Sequence, residues 1–418
     1  MLADLFFSST ERERSFREFH ARKRAGMFKP DGRGEPSLVS LVQNFEVLTK
    51  AAFAALAAGD YQLGAAVPHR IWVDKVRTIH HFNWLDTFLI YHLARTLAAA
   101  TAGLLPECLY SYRSGKSVRD ALLKLRDYLG SDSGLTYVLR RDVSQFGEQM
   151  DHQLLLSDLR CHTDSEQLIN FFRQICRFSP AAEADGRGLP GGHYLQLVCE
   201  NLYLLKLDLE VSKQCSGCYL RFGDDILFVS KALDQARRAR ALIDAGLIER
   251  RLSCNAAKVK DLVIQDPSRH SAIAIDDFTP ASRFVYLGSE VWWSGALAAP
   301  AQKLARLRRI ISARILAATQ AVADLPLTDR LQVAIQSVRN LLRESDLLAE
   351  GQSISNFLLH EQCNEFQLRE LDRWLELLVI KSAHRRGFKK GHFSKFPPRL
   401  LRQLGLPSLL HLRRTHGC

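Results

Sequence analysis

Apolar positions recur along the chain in two rhythms, a period of two in short runs and a helical period in longer ones. The most informative short run is Tyr219-Leu-Arg-Phe-Gly-Asp-Asp-Ile-Leu-Phe-Val-Ser230. Two apolar, β-prone stretches flank Gly223-Asp224-Asp225, the pattern of a tight β-hairpin with two carboxylates at its tip. Leu135-Thr-Tyr-Val-Leu-Arg-Arg-Asp-Val143 predicts a further strand that ends in Asp142. Residues 67–82 predict two short strands carrying Arg70, Lys75 and Arg77, and residues 283–293 two β runs with a bend at Gly288.

Helical spacing fills most of the remainder. It covers about 86–102, a helix through Leu129 after the polar turn Tyr110–Ala121, and 164–178. It then covers Tyr194–Asp208, read as one long amphipathic helix, and Leu233–Leu252. After residue 300, Leu304, Leu307, Ile311 and Ile315 keep helical intervals, and two more helices follow near 328–349 and 364–383. Asp185-Gly-Arg-Gly-Leu-Pro-Gly-Gly-His193 is rich in Gly and Pro, so its backbone can approach a ligand closely. Together these elements predict an α+β fold.

Charge narrows the function. The 418 residues carry a formal net charge of +12, which favours a polyanionic partner, nucleic acid before membrane surface. Cations crowd between Arg12 and Arg24, and Lys303, Arg306, Arg308, Arg309 and Arg314 are interleaved with the apolar stripe after residue 300. No run approaches the ~20 uncharged apolar residues of a membrane span, and no signal peptide is read, so a cytoplasmic protein with no membrane partner is expected. Nine cysteines at irregular spacing are expected as reduced thiols. Cys215-Ser-Gly-Cys218 has zinc-ligand spacing, but without a second ligand pair it reads as a structural lead into a strand.

The candidate chemistry lies in the carboxylates. An acid at the end of a buried strand is costly unless it binds something, and neighbouring carboxylates repel unless a cation neutralises them. Asp142, followed by the Gly-rich loop and helix and then by Asp224-Asp225, is the order of a palm-type polymerase core. Two Mg²⁺ ions, with Mn²⁺ as the alternative, would serve both ends of an in-line displacement. Arg70, Lys75 and Arg77 on adjacent strands are expected to face one triphosphate.

Over residues 67–293 the chain resembles the reverse transcriptases, in particular the bacterial group II intron, retron and defence-associated relatives. The resemblance implies a right-hand polymerase with fingers, an antiparallel-sheet palm and a helical basic thumb. Its parts would be a helical basic extension (1–66), fingers and palm (67–293) and a thumb with basic C-terminal region (294–418). It implies dNTP contacts by Arg70, Lys75 and Arg77. Tyr110–Ala121 looks like the family's Y-x-Y-R-x-G-x-S segment. Asp142, Val143, Asp224 and Asp225 match the metal-binding motifs, with Phe146 and Gly147 at the nucleotide. Gly188-Leu-Pro-Gly191-Gly192 and Asn201 to Asp208 match the loop and helix that grip template and nucleotide. Asn255 and Lys258 match a motif whose Lys helps protonate pyrophosphate, and Leu287-Gly288 the primer grip.

Four departures stand out. Gly191 replaces the family's usual Gln, Gln196-Leu197 its Ser-Pro, and Phe222 its commoner Tyr. Gly147 stands where an aromatic side chain usually excludes a 2′-hydroxyl, so either the neighbouring Phe146 takes that role or sugar selection is relaxed. The best fit is a stand-alone antiphage, abortive-infection type of enzyme. It would make DNA from dNTPs on an RNA template or structured noncoding RNA, with a second defence protein or another copy of itself as partner. The alternatives are a retron- or intron-type enzyme, an RNA-synthesising polymerase, and a nucleic-acid-binding module on an inactive polymerase fold.

Overall fold

A computed structural model describes residues 2–24, 35–72, 76–130, 134–179, 186–266, 268, 275, 277–343, 363–384, 389 and 391–416. The chain divides into two compact units. The first comprises Met1–Ala121, Leu135–Val263 and Ala274–Thr279, and the second Leu122–Gly134, Ile264–Ile273 and Pro280–Cys418. The N-terminal helices belong to the first unit, because Leu2, Phe6 and Phe19 are fully buried in its core.

The first unit holds a hairpin of β1 (Val67–Trp72) and β2 (Val76–His81) and an antiparallel sheet. In that sheet β3 (Thr136–Asp142), β4 (Cys218–Phe222), β5 (Asp225–Ser230) and β6 (Lys260–Ile264) run in the order β4-β5-β3-β6. β5 is central and buried at every position, which is why Ile226–Val229 reads as an unbroken apolar run. The turn into it is two residues long. Gly223 has φ +62° at its first position, as a type II′ hairpin requires, and only glycine adopts that backbone without strain.

Side-chain alternation explains the Arg140-Arg141-Asp142 sequence on β3. Arg140 and Asp142 share one face, while Arg141 turns to the other and binds Asp244 at 2.7 Å and Asp261 at 2.6 Å, pinning the sheet to the helix Leu233–Glu249. The expected long helix 194–208 is instead two, Tyr194–Tyr203 and Leu205–Gln214, broken at Leu204. The break turns Asp208 inward to meet the hairpin.

That meeting is a wholly buried ion pair. Arg221 on β4 donates to both carboxylate oxygens of Asp208 at 2.6–2.9 Å, and Tyr219 donates to the same carboxylate at 2.9 Å. Arg221 also reaches the carbonyls of Asn201 and Gly223, and its backbone pairs with Cys108 and Tyr110.

The N-terminal cations are used for packing. Arg12 lies 5.0 Å from the centre of the Phe53 ring, Lys23 lies 4.5 Å from Trp84, and Arg22 lies 5.8 Å from both Tyr91 and Tyr194. Arg95 answers with Glu11 and Glu18. Buried His92, between Ser15 and the Phe6 carbonyl, is pushed down to about 4 and stays neutral.

The second unit has its own core. A small antiparallel sheet joins β8 (Arg283–Tyr286), β9 (Ser289–Trp292) and β10 (Leu297–Ala298), numbered after β7 (Thr279–Ala281) at the unit boundary. Helices Ala301–Ala321, Leu327–Arg343 and Glu365–His384 bury Leu307, Ile311, Ile315, Ile335 and Leu371. Arg306, Arg309 and Arg314 stay exposed on the first of them. No helix among the described residues is long and apolar enough to cross a membrane.

Removing one member of a buried pair strands the other's charge, so Asp208→Ala is expected to lower unfolding stability by about 3–5 kcal/mol in urea titration. Loss of less than about 1 kcal/mol, an ordinary surface value, would show that Arg221 is not held by Asp208.

Candidate active site

Three carboxylates gather where β3 ends and the β4–β5 hairpin turns. Asp142 and Asp225 are direct partners across the antiparallel ladder, and Asp224 is exposed in the turn beside them. The Val143 amide donates to the Asp224 carbonyl at 2.9 Å, tying the strand end to the tip. The Asn255 amide donates to the Asp142 carbonyl at 2.9 Å, which brings the segment carrying Lys258 alongside.

Each buried carboxylate has a cation. Arg140 grips Asp225 with a bidentate fork at 2.9 and 2.8 Å, and Lys258 Nζ stands 2.8 Å from Asp142 Oδ2. Burial raises the Asp225 pKa against the pull of Arg140, and the charges of Asp142 and Asp224 raise it further. The three acids therefore sense one another.

Among the described residues, no group of three His, Cys, Asp or Glu side chains converges as a bound metal ion requires. The donor chemistry still suits a hard divalent cation, with exposed Asp224 next to Asp142 and Val143 on a shared backbone. Lys258 is half-exposed, whereas both Asp225 oxygens accept from the more buried Arg140. The expected ligands Asp142, Val143, Asp224 and Asp225 thus stand together at this end of the sheet, with Asp225 bound by Arg140.

Register parts two of the hairpin cations expected to face one triphosphate. Arg70 opposes Thr78 and Arg77 opposes Ile71, so the two arginines point to opposite faces of the β1–β2 ribbon. Arg77 is the one near the tip, because its charge acts on Tyr112 and Glu200. Lys75 lies outside the described residues.

Packing accounts for the unusual glycines. A Cβ on Gly191 would overlap the Thr78 carbonyl, and the His80 amide donates to the Gly191 carbonyl at 3.1 Å. The loop is thus seated on β2, with Gly192 at φ +91°. A Cβ on Gly147 would overlap the Gln196 side-chain amide. Phe146 offers no substitute, being buried against Tyr203 with ring centres 6.1 Å apart. Phe222 packs 6.2 Å from the Tyr112 ring, and Tyr112 holds a strained left-handed backbone at φ +54°.

Glu200 escaped the sequence reading, although it interrupts an otherwise apolar helix face. It is buried under the tip, where it accepts from Gln196 Nε2 at 2.9 Å. Burial, reinforced by Asp224, pushes its pKa up to about 7.

In the second unit, Leu287 (φ +46°) and Gly288 (φ +72°) form the left-handed turn between β8 and β9. A Cβ on Gly288 would overlap the Lys303 ammonium.

With this geometry in place, a protein-family model described as "Reverse transcriptase (RNA-dependent DNA polymerase)" matches residues 74–291, more than half of the chain. No curated protein sequence matches it. Among solved structures, telomerase from Candida albicans with a fragment of telomeric RNA is similar at TM-score 0.43 and 11% identity, covering 88% of this chain and 68% of that one. Apo telomerase from Candida tropicalis is similar at TM-score 0.44 and 12% identity with the same coverage. A form of it truncated from the C-terminal domain is similar at TM-score 0.42 and 12% identity, covering 61% of this chain and 60% of that one.

A carboxyl with its folded pKa raised from 4.5 to about 7 stabilises the fold when neutral and loses that contribution as pH rises through about 7. From about pH 5 to about pH 8, the unmodified protein should lose roughly 3 kcal/mol of unfolding stability relative to Glu200→Gln. Parallel pH profiles in denaturant titrations would refute this.

Proposed function

We propose that this chain, which belongs to the reverse transcriptase (RNA-dependent DNA polymerase) family, extends a primer on an RNA template from dNTPs, with Asp142 and Asp224 as its divalent-cation ligands. The observation that carries the reading is the pairing of Asp142 with Asp225 across one sheet, with Asp224 in the adjoining turn. The primer 3′-hydroxyl attacks the α-phosphorus of the bound nucleotide. A new P–O bond forms, the α–β bridging bond breaks, and pyrophosphate leaves.

Divalent cations, Mg²⁺ or Mn²⁺, would lower the hydroxyl's pKa and neutralise the triphosphate when bound at Asp142, Asp224 and the Val143 carbonyl. The chain's own groups do the rest. Lys258, released from Asp142, is placed to protonate the leaving pyrophosphate. Arg140 compensates Asp225 and keeps the two strand ends in register. Arg77 brings positive charge to the tip for the phosphates.

The exposed cations of helix Ala301–Ala321 suit a nucleic-acid backbone, and we assign them to the template–primer or to a structured noncoding RNA. A cytoplasmic antiphage role, with a second protein or another copy as partner, is the setting that the resemblance to defence-associated enzymes suggests.

Purified protein should incorporate labelled dNTPs, and Asp142→Asn and Asp224→Asn should each lower the rate by on the order of a thousandfold, the loss of several kcal/mol of transition-state stabilisation. Activity of Asp224→Asn within about threefold of the unmodified chain would remove the assignment. For RNA binding, replacing Arg306, Arg309 and Arg314 with Gln should flatten the log–log salt dependence by about one unit per lost phosphate contact. An unchanged slope would move the RNA surface elsewhere.

A further inference from the structure

The space beside Gly147 is taken up by the Gln196 side chain, which a Cβ there would push aside. The Gln196 amide lies where the Cβ would stand, brought there from the helix Tyr194–Tyr203. It is held from behind, with Nε2 donating to Glu200 Oε1 at 2.9 Å. The other Glu200 oxygen is 3.9 Å from the point where a Cβ on Gly223 would sit, and the Tyr112 hydroxyl is 3.7 Å from the same point. A continuous polar wall therefore runs from the turn after Asp142, through Gln196 and Glu200, to the carboxylate tip.

On the polymerase reading, a nucleotide held at Asp142 and Asp224 would set its sugar against this wall. Phe146 cannot screen it, because its ring is in the core. What meets the sugar is an amide on a rotatable stem. With one N–H committed to Glu200, a glutamine retains a second N–H and a carbonyl oxygen for other partners. A sugar hydroxyl that sheds water on entry needs such a partner, since an unpaired polar group loses the strength of a hydrogen bond.

We propose that Gln196, positioned by Glu200, is the residue that selects the nucleotide sugar, and that it hydrogen-bonds the 2′-hydroxyl so that ribonucleotides are admitted alongside deoxyribonucleotides. The proposal rests on the polymerase reading. It replaces exclusion by volume with recognition by hydrogen bonding.

The test is single-nucleotide extension of a primer on an RNA template by the full chain, comparing kcat/KM for 2′-hydroxyl, 2′-deoxy and 2′-fluoro nucleotides of one base. Fluorine is close to the hydroxyl in size but donates no hydrogen bond. The unmodified protein should therefore prefer the hydroxyl over the fluoro nucleotide by roughly tenfold, the worth of one good hydrogen bond. Gln196→Leu, similar in volume and without the amide, should erase that preference and lower the ratio of ribonucleotide to deoxyribonucleotide use by about the same factor. Equal or better use of the fluoro nucleotide by the unmodified protein overturns the proposal without any variant. So does a Gln196→Leu protein that extends the primer with an unchanged ratio. Failure of the unmodified chain to incorporate any of the three removes the polymerase reading, and this proposal with it.

Discussion

The candidate site depends on a charge buried where no water can reach it. Arg221 is fully enclosed, and a guanidinium in that position is tolerable only if every donor is satisfied. Asp208, Asn201 and Gly223 satisfy it, and they come from the helix Leu205–Gln214, the helix before it and the hairpin turn. One side chain thus fixes the tip against the helix that carries Glu200 and Gln196 and against the helix after it. The backbone on either side of Arg221 holds the Cys108–Tyr110 segment, which leads to Tyr112. The rigidity is directed at the turn, where a displacement of an ångström would misplace Asp224.

Around that fixed point the site is balanced in charge. Three carboxylates on adjoining backbone would repel, and Arg140 and Lys258 offset them in different ways. The Arg140 fork is planar, bidentate and mostly buried, which suits permanent service. The Lys258 ammonium is a point charge on a half-exposed stem, which suits release. The asymmetry gives Asp225 a mostly buried two-point partner and Asp142 a half-exposed one. Glu200 adds a fourth carboxyl that burial keeps protonated up to about neutral pH.

The departures from the family pattern become intelligible as contacts. Gly191 is small because β2 runs against it, and Gly147 is small because Gln196 fills its place. Phe222 keeps an aromatic partner in Tyr112.

By itself the sequence determined the α+β class, the hairpin with its acidic tip, the strand ending in Asp142 and the helical basic region after residue 300. All of these rest on local patterns of period and turn chemistry, so they survive without knowledge of the fold. The proximity of Lys258 to Asp142 was legible only through resemblance, and the structure brings the two together. Tertiary structure alone decided the rest. Arg70 and Arg77 looked like a pair until strand register put them on opposite faces, because a period-two pattern does not say which residues oppose one another. Only the folded sheet gives Arg140 its partner Asp225, and only the folded chain buries Glu200 beside Gln196. Long-range pairing is set by which buried groups satisfy each other, and no local window of sequence contains both partners.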